Sequence, residues 1–268
     1  MPPRPIERPG LSLARAQQAR RLLTAKGRAS IGAFLTEGPQ AVREALAWGD
    51  VRQVIVSASA TPVALELAEV ASGKGVAVAM GDDELMSSIT DTVRGQGIVA
   101  VCGLPRSGLD DAPHPRLVLV LDEVRDPGNV GTLIRTADAF GADAVVATVG
   151  TAEPWSPKAV RASVGSVFHL PVVTQVGFED VVGWAGRCGL SVLAADAGGR
   201  PLNDPELTQT LAGPVAWVVG NEAAGLSSSH VSMVDEIVAV PMWGKAESLN
   251  VATAAGVCLY MTALRQNV

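Results

Sequence analysis

Three short stretches of the 268-residue chain concentrate the residues able to do chemistry. In the first, Asp126, Pro127 and Gly128 form a turn, and Asn129 opens a helix that carries Arg135 six residues later. In the second, a β-rich run ends at Gly220 and is followed by Asn221, the carboxylate Glu222 and Gly225. In the third, Ser248 and Asn250 lead into a helix of small residues: Ala252, Ala254, Ala255 and Gly256. Amides, a hydroxyl, a carboxylate and a guanidinium can orient a polar substrate, hold a phosphate and stabilise developing oxygen charge. Each also has an ordinary structural explanation. Asn and Ser cap helices, glycine loops turn chains, and most helix arginines face solvent.

The elements around these stretches alternate. In the second half, strands are expected at 117–121, 144–149, 168–173, 190–196, 215–220 and 237–242. Helices are expected at 129–141, 156–165, 178–189 and 247–265. Near-continuous apolar strands between helices imply an α/β fold whose parallel sheet is covered by helices on both faces. Ligands of such sheets sit beyond the strand carboxyl ends, where the three polar stretches fall. The first half also alternates. Helices are expected at 12–26, 39–48, 62–73 and 82–89, and extended runs at IGAFLTEG, 51–57, 76–80 and 97–103. Residues 105–115, PRSGLDDAPHP, read as a linker. Two domains follow, 1–110 and 111–268.

Charge is unevenly divided in a chain of net charge −6. Residues 1–28 hold seven basic side chains (Arg4, Arg8, Arg15, Arg20, Arg21, Lys26 and Arg28) against Glu7 alone. Residues 29–111 hold five basic and eleven acidic residues, and 112–268 hold nine and fifteen. A basic N-terminal arm on an acidic body can contact RNA phosphates while the body stays soluble. A solvated basic helix would give the same pattern. Cys102, Cys188 and Cys258 are too scattered for a disulfide framework or zinc site, and suit a reducing cytoplasm. His114, His169 and His230 form no metal cluster. No apolar run reaches membrane-spanning length, and MPPRPIERPG lacks an apolar signal core. Gly95, Gly97 and Ala100 match GxGxxA, but the match leads into a strand instead of opening a helix, which disfavours a dinucleotide site. No P-loop is present.

In order and spacing, DPGNVGTLIRTADAFGAD, VVGNEAAGL and VPMWGKAESLNVATAAGVCLY resemble the three motifs of the SpoU (TrmH) family of RNA ribose 2′-O-methyltransferases, in the SPOUT superfamily. The resemblance covers about residues 116–266. FLTEGPQAVREAL and GQGIVAV are more weakly similar to the family's smaller N-terminal α/β RNA-binding domain. Two positions depart from the pattern: Ala223 stands where Gly is usual, and Ala252 where Ser is frequent.

The resemblance implies a C-terminal trefoil knot, a homodimer with active sites built from both subunits, and S-adenosylmethionine as methyl donor without a metal. It implies a cofactor pocket at Asp196, Ala197, Gly220, Val240, Met242, Leu249 and Asn250. It places Asn129, Arg135, Glu222, Ser248 and Asn250 in the catalytic set, and Arg15, Arg20, Arg21, Lys26 and Arg28 toward RNA. Two roles stay open for Arg135: general base, or a cation holding phosphate and developing alkoxide charge, since arginine is normally fully protonated. Structured RNA is the implied partner, ribosomal RNA ahead of tRNA. The rival of another class is an RNA-binding relative without catalysis. Trp243, inside the third motif, is placed to touch adenine or a base.

Overall fold

The structure, a computed structural model, describes residues 9–90 and 96–267. Arg4, Glu7, Arg8 and Gly95 lie outside the described residues. The chain divides into two compact units: Met1–Leu104 with Trp155–Phe168, and Pro105–Pro154 with His169–Val268.

In the first unit, the expected helix over 12–26 is two helices, α1 (Leu13–Arg21) and α2 (Ala25–Ile31). The break has a local cause. Thr24 turns its hydroxyl onto the N–H of Gly27 at 3.1 Å, starting a second helix instead of extending the first. There follow β1 (Ala33–Glu37), α3 (Pro39–Trp48), β2 (Val51–Ser57), α4 (Pro62–Gly73), β3 (Ala77–Gly81), α5 (Asp83–Ile89) and β4 (Ile98–Gly103). Their sheet runs β1-β4-β2-β3, with β2 and β3 parallel and β4 antiparallel to both its neighbours.

The second unit opens with β5 (Leu117–Leu121), α6 (Pro127–Ala139) and β6 (Ala144–Thr148). Next in the chain, α7 (Pro157–Ser163) belongs to the first unit. There the ring of Phe34 on β1 meets Trp155 at 5.2 Å and Phe168 at 5.7 Å. The second unit continues with β7 (Val172–Val176), α8 (Phe178–Cys188), β8 (Ser191–Pro201), α9 (Leu207–Ala212), β9 (Val215–Val219), α10 (Ser228–Val231), β10 (Glu236–Ala239) and α11 (Val251–Gln266). Its six strands run β10-β8-β9-β5-β6-β7, every pair parallel, as their apolar composition predicts. Strands β5, β6 and β9 are buried along their whole length.

Strand β8 is longer than expected and leaves the ladder midway. Ile237 pairs with Ala194, but Val238 already pairs with Arg200. The skipped residues, Ala195 to Gly199, swing out at the carboxyl end of the sheet. Gly199 permits the return: a Cβ there would lie 2.4 Å from the Ile237 backbone.

The closing helix α11 is tied down at Trp217, which is fully buried and donates its indole N–H to Thr262 Oγ1 at 2.9 Å. Thr262→Val keeps the shape and orphans that donor. A loss of about 1–3 kcal/mol in unfolding free energy is expected, read by denaturant titration.

Candidate functional site

The loop after β5 is fixed before it reaches the helix. Asp126 caps α6, its Oδ1 accepting from Gly128 N at 2.6 Å and Asn129 N at 3.1 Å, and Pro127 occupies the first turn. Asn129 is thereby held at the helix start with its amide turned outward. Its Nδ2 donates to Glu222 Oε1 at 2.9 Å, and its Oδ1 accepts from Asn250 Nδ2 at 3.1 Å. The three motifs, separated by 93 and 121 positions, thus meet in one chain of hydrogen bonds, Glu222–Asn129–Asn250. Asn250 is itself oriented as the N-cap of α11, its Oδ1 accepting from Ala252 N at 2.9 Å. That cap needs only the backbone of Ala252, so the missing serine hydroxyl leaves it intact.

Glu222 works on the opposite loop as well as on Asn129. It accepts from Arg125 N and Asp126 N, each at 3.2 Å. Desolvation pushes its carboxyl upward, but the Asn129 amide and the backbone N–H donors outweigh it and hold the pKa below the usual carboxylate range. Asn221 completes the clamp. Its Nδ2 donates to Glu123 O at 3.0 Å, while its Oδ1 accepts from Ala223 N and Ala224 N at 3.0 Å. Glu123 sits at φ 52°, an uncommon conformation for a residue with a Cβ, next to that clamp. Asn221 stands in the second polar stretch, but the family resemblance assigns it no role. The available signal was the Asx-turn habit of Asn directly after a strand.

These side chains border a cavity of about 480 Å³ at the carboxyl ends of β8, β9 and β10. All seven positions expected to hold a cofactor line it: Asp196, Ala197, Gly220, Val240, Met242, Leu249 and Asn250. Of the expected catalytic set, Asn129, Glu222, Ser248 and Asn250 line it too. The excursion of β8 supplies Asp196. Gly220 lets the β9 loop close, since a Cβ there would meet Gly225 C at 2.7 Å and Leu226 N at 2.8 Å. Leu226, Val219 and Val238 add apolar wall that the motif reading did not name.

Arg135 is not among the cavity residues. It is exposed on α6, and among the described residues it has no hydrogen-bond partner. Six residues at 3.6 per turn set it about 120° around the helix from Asn129, so a common helix does not give a common direction. Trp243 is 88% exposed and also lies outside the cavity lining.

In the first unit, Arg15, Arg20, Arg21 and Lys26 are exposed on α1 and α2. Arg20 donates to Ser88 Oγ at 2.8 Å and Arg21 to Ser30 Oγ at 3.3 Å. Arg28, expected to face RNA, is corrected by its burial. It is 3% exposed and donates Nη1 to Leu22 O at 2.8 Å, satisfying the end of α1 from within. His169 and His230 pair with carboxylates, Nδ1 to Asp138 Oδ2 at 2.8 Å and to Asp122 Oδ2 at 2.7 Å. Among the described residues no three His, Cys, Asp or Glu side chains gather into a metal-binding group, and no helix is long and apolar enough to cross a membrane.

Comparison with known proteins agrees with this geometry. Residues 116–260 match the SpoU rRNA Methylase family, and residues 14–100 match the MRM3-like substrate binding domain. The chain is 38% identical over 244 residues to the 23S rRNA (guanosine(2553)-2′-O)-methyltransferase RlmP of Bacillus subtilis, covering 90% of this chain and 92% of that one. It is 36% identical over 199 residues to the 23S rRNA (uridine(2479)-2′-O)-methyltransferase of Streptomyces viridochromogenes, covering 71% and 68%. Among solved structures, the SpoU methyltransferase AviRb of S. viridochromogenes in complex with AdoMet superposes with a TM-score of 0.83 at 30% identity, covering 95% of this chain and 99% of that one. The AdoMet-bound rRNA methyltransferase of Sinorhizobium meliloti gives a TM-score of 0.80 at 30% identity, with 95% of each chain covered. Three motifs joined in one hydrogen-bond chain, within the family match over residues 116–260 and in a chain that superposes over 95% of its length on AviRb, place the chain in the SpoU rRNA methylase family.

Proposed function

We propose that this chain transfers a methyl group from S-adenosylmethionine to a ribose 2′-hydroxyl of RNA, with 23S ribosomal RNA as the substrate. The observation that carries the reading is the Glu222–Asn129–Asn250 chain at the mouth of the cavity. The cavity fits the donor: about 480 Å³ lies within the range of about 300–1,000 Å³ usual for ligand sites. Its lining mixes apolar walls (Val240, Met242, Leu249) with the Asp196 carboxylate and the backbone at Gly220. When bound, the donor supplies an electrophilic methyl carbon on a sulfonium, a reaction that calls for no metal.

The protein must then orient one ribose oxygen and take up its proton. Asn129 is locked on both sides, so the second hydrogen on its Nδ2 points in a fixed direction and can donate to the substrate. Ser248, at the cavity edge, offers a hydroxyl that donates or accepts. Holding two reactants in line can supply on the order of 7–11 kcal/mol of the barrier. Arg135 acts on the same oxygen or the adjacent phosphate, as base or as charge stabiliser. Its exposure outside its own chain's cavity favours service at the site of a second copy, in a knotted homodimer. Residues 1–110 act as the RNA substrate-binding domain, with Arg15, Arg20, Arg21 and Lys26 toward phosphates, and residues 111–268 as the methyltransferase domain. The enzyme works in the cytoplasm, where such RNA is found.

The test gives the purified protein labelled donor together with separated 23S rRNA, 16S rRNA and tRNA. Label confined to 23S rRNA, at a linkage that resists alkaline cleavage, is expected. Label in tRNA alone would replace the substrate, label on a base would replace the reaction, and binding without label would leave an RNA-binding relative.

A further inference from the structure

The loop that Asn221 and Glu222 grip is also held from behind, by a buried pair. Asp122 directly follows β5, and its side chain is 4% exposed. Its Oδ1 accepts from Thr148 Oγ1 at 2.9 Å, and its Oδ2 accepts from His230 Nδ1 at 2.7 Å. A carboxylate only accepts, so that nitrogen carries the hydrogen in the neutral ring as in the charged one. The His230 ring is fixed by its face as well. It stacks on the buried ring of Phe178, with centroids 4.2 Å apart and 14° between the planes. Its backbone is tied to the start of α10, where His230 N donates to Ser227 Oγ at 3.2 Å.

These bonds complete a pattern. One segment, from Asn221 to His230, holds the loop from Asp122 to Asp126 along its length. His230 takes Asp122, Asn221 takes Glu123 O, and Glu222 takes the N–H groups of Arg125 and Asp126. Asp122 is the buried polar side chain of that loop, so loss of its donor is costly, whereas the exposed members can turn to water. His230 is not among the cavity residues. Resting on the methyltransferase reading, we propose that His230 is a positioning residue for methyl transfer: through Asp122 it sets where the loop after β5 stands, and so where Glu222 seats Asn129. Its contribution therefore falls on the rate of the bound complex and leaves the affinity for either substrate alone.

The test uses the full chain, S-adenosylmethionine and a 23S rRNA transcript. His230→Leu and His230→Asn are close in size and both lose the ring, but the asparagine keeps an N–H donor where Nδ1 stood. His230→Phe keeps the stack on Phe178 and drops the donor. The single-turnover rate is expected to fall about 5–10-fold in the Leu and Phe variants, short of the ~10²-fold that a 1 Å misplacement can cost, because Asn221 and Glu222 still hold the loop. The Asn variant should stay near the parent rate, and the Kd values for S-adenosylhomocysteine and transcript should be unchanged in all three. A packing role gives the opposite order, with Phe near the parent and Leu and Asn equally impaired, and that order overturns the proposal. In a Glu222→Gln background, His230→Leu should cost less than it does alone, since both changes loosen one seat; full additivity overturns it too. A parent protein that methylates no RNA defeats the enzymatic reading. Amide exchange over residues 122–129 then still decides the grip: it should quicken in the Leu and Phe variants and match the parent in the Asn variant, and unaltered exchange in all three overturns the proposal.

Discussion

Arg135→Ala is expected to lower methyl transfer by ~10²-fold or more, the usual weight of a positioned proton acceptor or charge stabiliser, with donor affinity unchanged. Both halves of that expectation come from its position. Arg135 is absent from the cavity that the donor would fill, so its removal has no route to the donor's contacts. It is exposed on α6 without a partner among the described residues, so its removal breaks no internal bond. Calorimetric titration with S-adenosylhomocysteine and single-turnover methylation separate the two quantities. A second measurement identifies whose cavity Arg135 serves. If the chain forms the proposed homodimer, mixed dimers of Arg135→Ala and Asn250→Ala subunits would contain one intact composite site where the arginine reaches across, and would recover part of the parent rate. If each chain used its own Arg135, mixing would recover nothing. Near-parent turnover in the single variant would remove Arg135 from the reaction under either arrangement.

The parallel sheet was legible because burial on both faces leaves its mark on composition. LVLVL and VAWVV have no charged, amide or hydroxyl side chain and AVVAT has only Thr148 at its end, so no amphipathic alternative competes for them. The polar crevice was legible from the same logic, since polar loops at strand carboxyl ends have few other purposes. Which side chains converge was not legible from periodicity. The bonds joining Glu222, Asn129 and Asn250 span about a hundred residues, and only the motif resemblance brought these positions together. Where reading failed, the cause was geometric. Thr24 could be read as helix interior or as a cap, and its hydroxyl chose the cap. Arg28 looked like one more basic residue of an arm, but the end of α1 left a carbonyl at Leu22 for it to bind. Arg135 shares a helix with Asn129 but points elsewhere. The departure of β8 at Ala195 has no local marker except Gly199, whose need is set by a strand some forty residues later.

Glu222→Gln is expected to cut turnover by about 10-fold or more while leaving most donor binding, because it loosens the seating of Asn129 instead of removing a reacting group. The carboxylate is acceptor-only and faces three donors: Asn129 Nδ2, Arg125 N and Asp126 N. Glutamine brings one oxygen and an NH2 group. One of its ends must therefore face a donor with a donor, and the loop or the Asn129 amide moves. The same arrangement fixes a pH dependence. The folded-state pKa of Glu222 lies below its ordinary value of 4.5, so the folded protein binds its proton less readily than the unfolded chain. The clamp's contribution is therefore complete above the ordinary value and is lost as pH falls through the lowered folded value. Its size is modest, because Glu222 is exposed enough for solvent to screen it. Thermal midpoints of parent and Glu222→Gln protein should differ by a constant amount well above pH 4.5 and draw together as the pH falls below it. A gap that persists under acid would mean that shape, not the carboxylate charge, holds the two loops together.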